Sequence, residues 1–153
     1  MYQRILLATD GSDTSELALA QALRLAKDQH AVLRVAYVIE AARLLASMPA
    51  EYPMDITPMI DALRDAGQQA LAAAQARAQA DGVTIETVLR EDGEVPHGVA
   101  GVLIDEARAS NADLLVLGTH GRSGVRHLLL GSVAEQVVRG APVPVLLVRA
   151  KAA

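Results

Sequence analysis

The sequence predicts an α/β protein built on a five-stranded, parallel, doubly wound sheet. Three observations predict it. Short apolar runs alternate with segments whose apolar residues recur at helical spacing, the pattern of a chain that winds helices onto both faces of one sheet. The run Leu114-Leu115-Val116-Leu117 is unbroken, too short for a free helix and closed by a glycine, as expected of a strand covered on both faces. The stretches richest in turn chemistry, Thr9-Asp10-Gly11-Ser12 and the residues after Leu117, both follow such runs. No repeat or low-complexity linker divides the 153 residues, so one domain over residues 1–153 is expected, Rossmann-like or flavodoxin-like, in strand order 3-2-1-4-5. In that order the first and fourth strands lie side by side, and their turns face each other across the crevice where open α/β sheets bind ligands.

Ile5 to Thr9 is the first strand. Asp13 or Ser12 can cap the helix that follows, with Glu16 placed to close a capping box, and Ala18, Leu19, Ala22, Leu25 and Ala26 give it one apolar face ending near His30. Ala31 to Val38 is the second strand, so the first crossover should be right-handed. Glu40 to Ile56 shows no clean period and contains Pro49 and Pro53, which predicts a long loop with a short helical piece near Ala41 to Ser47. A solvated excursion and a lid are both open readings of it, and Met48, Tyr52 and Met54 hint at contact with a ligand or partner. Thr57-Pro58 reads as a cap followed by proline at the first helical position. The long alanine-rich helix after it would line up Ile60, Leu63, Ala66, Ala70, Ala74 and Ala78 before stopping at Asp81-Gly82. Val83 to Leu89 is the third strand and Glu91 to Glu94 an acidic turn. Pro96 starts a helix through Val99, Val102, Leu103 and Ala107, closed by Ser110-Asn111. After the fourth strand, Val133, Ala134, Val137 and Val138 mark the last helix with Ser132 as its cap, and Gly140-Ala141-Pro142 breaks the chain before a final strand, Val143 to Arg149.

Composition narrows the function classes. Cysteine is absent, which removes a disulfide framework, thiolate zinc sites and a cysteine nucleophile. Phe and Trp are absent and there are three Tyr, so base-stacking platforms for single-stranded nucleic acid are not expected. A formal net charge of -4 with mixed signs along the chain leaves no basic patch for nucleic acid. The apolar run Ile5 to Ala8 is far below signal-peptide or membrane-span length, so a cytoplasmic protein without membrane contact is expected.

The chemistry gathers after the fourth strand. Gly118, Gly121, Gly124 and Gly131 lack a Cβ, so the main chain there can turn freely and come close to a bulky ligand. Gly131-Ser132 then opens a helix, where free N–H groups and the positive end of the helix dipole attract phosphate. Neither G-x-G-x-x-G nor G-x-x-x-x-G-K-[ST] occurs, which argues against a classical NAD fold and a P-loop enzyme. Asp10, at the switch point, is either a helix-capping aspartate or, in the favoured reading, an acceptor for ribose hydroxyls; an ionised carboxylate would repel phosphate. Arg122 and Arg126 could neutralise phosphate charge, although solvated loop arginines are commoner. His120 lacks an evident carboxylate orienter nearby in sequence and is read as a packed turn histidine rather than a general base. A divalent metal, Mg2+, would ride with the phosphates, within reach of Asp10 or Ser132 through water.

The spacing Gly118, two residues, Gly121, nine residues, Gly131-Ser132 resembles the nucleotide-binding signature of the universal stress protein family, G-x2-G-x9-G followed by Ser or Thr. The resemblance spans most of the chain, through Leu6 to Ser12, Ala36-Tyr37-Val38, Leu115 to Gly124, Leu130 to Ala134 and Pro142 to Val148. It implies the ATP-binding branch of the family, with Asp10 on the ribose, the main chain of Val38 against adenine, and Gly118, Gly121, Gly131 and Ser132 on the phosphates. The full expected site is Thr9, Asp10, Val38, Gly118, Thr119, His120, Gly121, Arg122, Gly131, Ser132 and Val133. It also implies a homodimer through Val143–Val148, an open strand edge that needs cover. The expected function is an ATP-binding, nucleotide-responsive regulatory module in stress response. Alternatives are a slow ATPase or phosphotransferase, a nucleotide-free dimeric scaffold, and flavin electron transfer on a shared fold. On this reading Gly118→Val and Gly131→Val cost nucleotide binding far more than folding stability.

Overall fold

The computed structural model describes residues 1–49, 54–94, 98–120 and 130–150. Strands β1 (Arg4–Thr9), β2 (Val32–Ile39), β3 (Ile85–Glu91), β4 (Leu114–Gly118) and β5 (Val145–Val148) form one parallel sheet in the order β3-β2-β1-β4-β5, as the sequence predicts. Around it lie helices α1 (Asp13–Gln29), α2 (Ala41–Ala46), α3 (Thr57–Asp81), α4 (Gly98–Ala109) and α5 (Ser132–Gly140). Alternation along the strands sorts side chains between two cores. Ile5, Leu7, Leu33, Val35 and Val116 meet α1 and α3, while Leu6, Ala36, Leu115 and Leu117 meet α4 and α5. Among the described residues no helix is long and apolar enough to cross a membrane.

Element boundaries follow local chemistry. Ser12 caps α1, its Oγ accepting the Ser15 N–H at 3.2 Å. Glu16 therefore forms no capping box and instead pairs with Arg77 of α3 at 2.6 Å. β2 and β3 begin later than the apolar runs suggest, because the N–H groups of Ala31 and Val83 are still donated to the helix carbonyls of Ala26 and Ala78, both at 2.9 Å. β5 begins only after Pro144, which has no N–H to give a ladder. Ile56, not Thr57, is the N-cap of α3, and Asp55 accepts the Thr57 N–H at 3.0 Å in the cap's place.

The buried face of α3 is Gly67, Leu71, Ala74 and Ala78, with Ile60, Leu63 and Ala70 half-buried at its border; Ala66, expected on the face, lies beside it. Alanine on every side of this helix hides the stripe from the sequence. Gly67 fixes it, since a Cβ there would lie 2.7 Å from Leu89 Cδ1 and 2.8 Å from Tyr37 Cδ1.

A charged layer between α4 and the sheet is illegible in the sequence. Glu106 of α4 is 2% exposed and gives one carboxylate oxygen to Arg34 Nε at 2.6 Å and the other to Arg90 at 3.2 Å. Arg34 also reaches Glu86 at 2.8 Å, and Glu86 is shared with Arg4 at 3.2 Å. The strand members, Arg4, Arg34, Glu86 and Arg90, sit on the face of β1, β2 and β3 that α4 covers, so the layer substitutes ion pairs for apolar packing there. Removing one partner of such a buried pair strands the charge of the other.

Glu106→Ala is expected to lower unfolding free energy by about 2–3 kcal/mol, the low end for a broken buried pair because both arginines keep some solvent contact. Urea denaturation measures it, and a loss under half that size would show that the layer is solvent-screened. Glu86 supplies a pH test. Its hydrogen bond from Arg34 and the attraction of Arg4 outweigh desolvation and hold its carboxyl below its ordinary range. A carboxylate depressed in the folded state stabilises above its unfolded pKa, about 4.3, and loses that contribution as pH falls through the lower folded value. The stability gap between the native protein and Glu86→Gln should therefore close in that acid window and be constant above it.

Candidate functional site

The strand order creates the site. β1 pairs with β2 on one side and β4 on the other, so the chain leaves the sheet in opposite directions from neighbouring strands and a crevice opens at their C-terminal ends. Asp10 follows β1 and Thr119 follows β4. On the β2 side the crevice deepens into a cavity of about 340 Å³, lined by Asp10, Val38 and Glu40 from the sheet ends, Arg43 of α2 and Leu63 of α3. The expected helical piece near Ala41 to Ser47 is thus α2, and it is a wall of this cavity. Arg43 pairs with Glu40, three residues earlier, at 2.9 Å. Of the loop residues expected to touch ligand, Tyr52 lies outside the described residues and Met54 is exposed.

Asp10 is not the helix cap. Its Oδ1 accepts the Ser12 N–H at 3.0 Å, holding the turn so that Ser12 can cap α1, and the residue itself lines the cavity. Thr9 is buried and shares its hydroxyl with Ser15 Oγ at 3.1 Å, which fixes the turn from beneath. It braces the site.

Beyond β4 the main chain is tied by Thr119. Its N–H is donated to the Val148 carbonyl at 2.9 Å, and its carbonyl accepts the Gly131 N–H at 2.8 Å. These two bonds bring the end of β4, the end of β5 and the start of α5 together. Thr119 Oγ1 lies 3.0 Å from His120 Nδ1, so the imidazole that seemed to lack an orienter in the sequence has a hydroxyl as one. Gly131, not Ser132, is the N-cap of α5: its own N–H is spent on Thr119, it sits in extended conformation (φ −60°), and its carbonyl accepts from Glu135. Gly131 has no side chain with which to cap α5, and exposed Ser132 and half-buried Val133 occupy its first turn. That helix start has the orphan donors and dipole end that favour an anion. Gly121, Arg122, Gly124 and Arg126 lie outside the described residues.

The two described signature glycines are required for a reason other than conformational freedom. Neither has positive φ. A Cβ on Gly118 would stand 2.8 Å from Thr14 Cγ2 and 3.2 Å from the Thr14 carbonyl carbon, so this glycine lets α1 close on β4. A Cβ on Gly131 would lie 3.0 Å from the Thr119 carbonyl oxygen. Each is a point of contact between chain and chain.

Residues 1–149 match the family model described as the universal stress protein family. The chain belongs to the universal stress protein family. It is 36% identical to universal stress protein MJ0531 of Methanocaldococcus jannaschii over 149 residues, covering 97% of this chain and 83% of that protein. The crystal structure of a universal stress family protein from Burkholderia pseudomallei superposes with a TM-score of 0.77 at 38% identity over 97% of each chain. A universal stress protein solved in complex with cAMP is 30% identical, with a TM-score of 0.64 over 97% of each chain. Of the cavity's lining, Asp10 and Val38 are among the residues expected from the sequence, while Leu63 and Arg43 are not; for Arg43, proximity to the end of β2 is the available signal.

The packing at Gly118 replaces the expectation that its substitution spares stability. Gly118→Ala should destabilise by about 1–3 kcal/mol through overpacking. Thr14→Ser in the same chain, by removing the methyl that is struck first, should recover part of the loss in urea denaturation; no recovery would place the strain elsewhere.

Proposed function

We propose that this universal stress protein binds an adenine nucleotide, ATP with Mg2+, along the C-terminal ends of β2, β1 and β4, and works as a nucleotide-responsive regulatory module in stress response. The observation that carries the reading is an order of environments across adjacent strands. The cavity at β2 is part apolar, through Val38 and Leu63; Asp10 follows β1; the start of α5, with a glycine as its N-cap, follows β4. Strands stand about 4.8 Å apart, so these three environments succeed one another over about 10 Å, in the order base, ribose, phosphates. The cavity would take adenine against the main chain of Val38, Asp10 would accept from ribose hydroxyls, and Gly118, Thr119, His120, Gly131, Ser132 and Val133 would border the phosphates, with Gly121 and Arg122 of the signature completing the set. The cAMP complex of a relative 30% identical supports the nucleotide class.

A Mg2+ would ride with the nucleotide, carried mainly by phosphate oxygens and water, with Asp10 or Ser132 reached through solvent. The open side of β5, where Leu146 is 39% exposed, supports a homodimer through Val143–Val148.

Calorimetry with ATP and Mg2+ tests the reading. The native protein should bind, and Asp10→Ala should weaken binding about tenfold, the worth of a hydrogen bond to a charged acceptor. A native protein that gives no binding heat and retains no nucleotide on gel filtration would remove it.

A further inference from the structure

The acidic turn at the end of β3, Glu91 to Glu94, has no part in the site so far. It begins with two successive carboxylates, and each holds a different wall of the cavity. Glu91 accepts from Arg64 Nη2 at 2.9 Å, and Arg64 is the neighbour of Leu63 on α3. Asp92 accepts the Ala42 N–H through Oδ1 at 2.7 Å, and Ala42 is the neighbour of Arg43 on α2. Asp92 is 6% exposed and starts the 3-10 turn Asp92–Glu94.

The second bond matters because α2 cannot hold itself. Six residues are too few to stabilise a helix by their own hydrogen bonds, and the side chain of its N-cap Glu40 makes no capping bond. Among the described residues two contacts fix it: Ala41, which is buried in the same core cluster as Tyr37 and Ile39, and the carboxylate of Asp92, which satisfies an orphan N–H and places negative charge at the helix start. Without Asp92 the helix keeps an apolar foot but loses its aim. Arg64, meanwhile, is held from Asp61 within α3 and from Glu91 across the gap, so the turn also fixes the side of α3 that carries Leu63.

We propose that Glu91 and Asp92 form a clamp that sets the gap between α2 and α3, and with it the affinity for the base of the bound nucleotide. They are positioning residues and touch no ligand. The inference rests on the adenine-nucleotide reading above, and it adds that base affinity is set separately from phosphate affinity, by residues at the C-terminal end of a strand that lines no part of the cavity.

The test measures two ligands on the folded chain, ATP and inorganic tripolyphosphate, each with Mg2+. Asp92→Ala should raise the Kd for ATP about tenfold and leave the Kd for tripolyphosphate within about twofold, since only the base end of the site moves. Asp92→Asn, which keeps an acceptor oxygen, should restore most of the ATP affinity. Arg64→Ala opens the other jaw at a half-exposed position, so the test does not depend on Asp92→Ala folding; it should weaken ATP about threefold, again sparing tripolyphosphate. Unchanged ATP affinity in both variants, or equal weakening of both ligands, would overturn the clamp while the nucleotide reading stood. A native protein that binds tripolyphosphate but not ATP would remove both.

Discussion

The constraint on which this molecule depends is the position of β1. It is the central strand, bonded to β2 and β4 over registers that run from Arg4↔Val32 and Ile5↔Leu114, and it has no exposed side. Right-handed crossovers made in one direction along a parallel sheet all lie on one face, so the second face is covered only if the direction of winding reverses somewhere. Here it reverses at β1, and helices leave the sheet to either side of its C-terminal end. The crevice is the geometric residue of that reversal. Its chemistry is supplied by whatever residues happen to end β1, β2 and β4.

Such a crevice must be propped open by packing at its edges, and the structure shows where. Gly118 brings α1 close to β4, Gly67 brings α3 close to Tyr37 and Leu89, and Gly131 brings the start of α5 under the Thr119 carbonyl. In each case the missing Cβ allows one element to approach another, and the approach fixes the direction in which a nearby helix points. A glycine signature around a ligand can therefore act at one remove, by placing the helix start whose N–H groups do the binding. For Gly118 this shifts the effect of substitution from ligand affinity toward stability, opposite to the inference drawn from spacing alone.

What the sequence made legible were features with a period or a punctuation mark. The strand runs, the turns at Asp10 and Gly118, and the family signature could be read because apolar alternation and glycine spacing are local. Caps are less legible, because neighbouring residues compete for one role. Ser12 and Asp13 are both open in the sequence and Ser12 takes the cap of α1, whereas Gly131 displaces Ser132 because its N–H is engaged by a carbonyl twelve residues earlier, which no local rule contains. The face of α3 was ambiguous because alanine on all sides carries no moment. The charged layer beneath α4 was invisible for a different reason: Arg34, Glu86 and Glu106 are far apart in sequence and each, alone, looks like a solvated side chain.

That layer and the acidic turn belong to one argument about β3. As an edge strand it contributes little to the apolar cores, and Glu86, Arg90 and Glu91 are instead committed to α4, β2 and α3 through ion pairs. An edge strand held by charge has a directional attachment, since a carboxylate between two guanidinium groups defines an angle where a leucine would define only a contact. The direction is passed on. β3 runs straight into Asp92, whose carboxylate reaches the start of α2, so the alignment of β3 fixes where that carboxylate stands relative to the cavity. Replacing the pairs by apolar residues of equal volume could hold the strand as firmly, yet would leave its rotation about its own axis to packing alone. The ion pairs on β3 are thus better explained by what lies at its C-terminal end than by the stability they add.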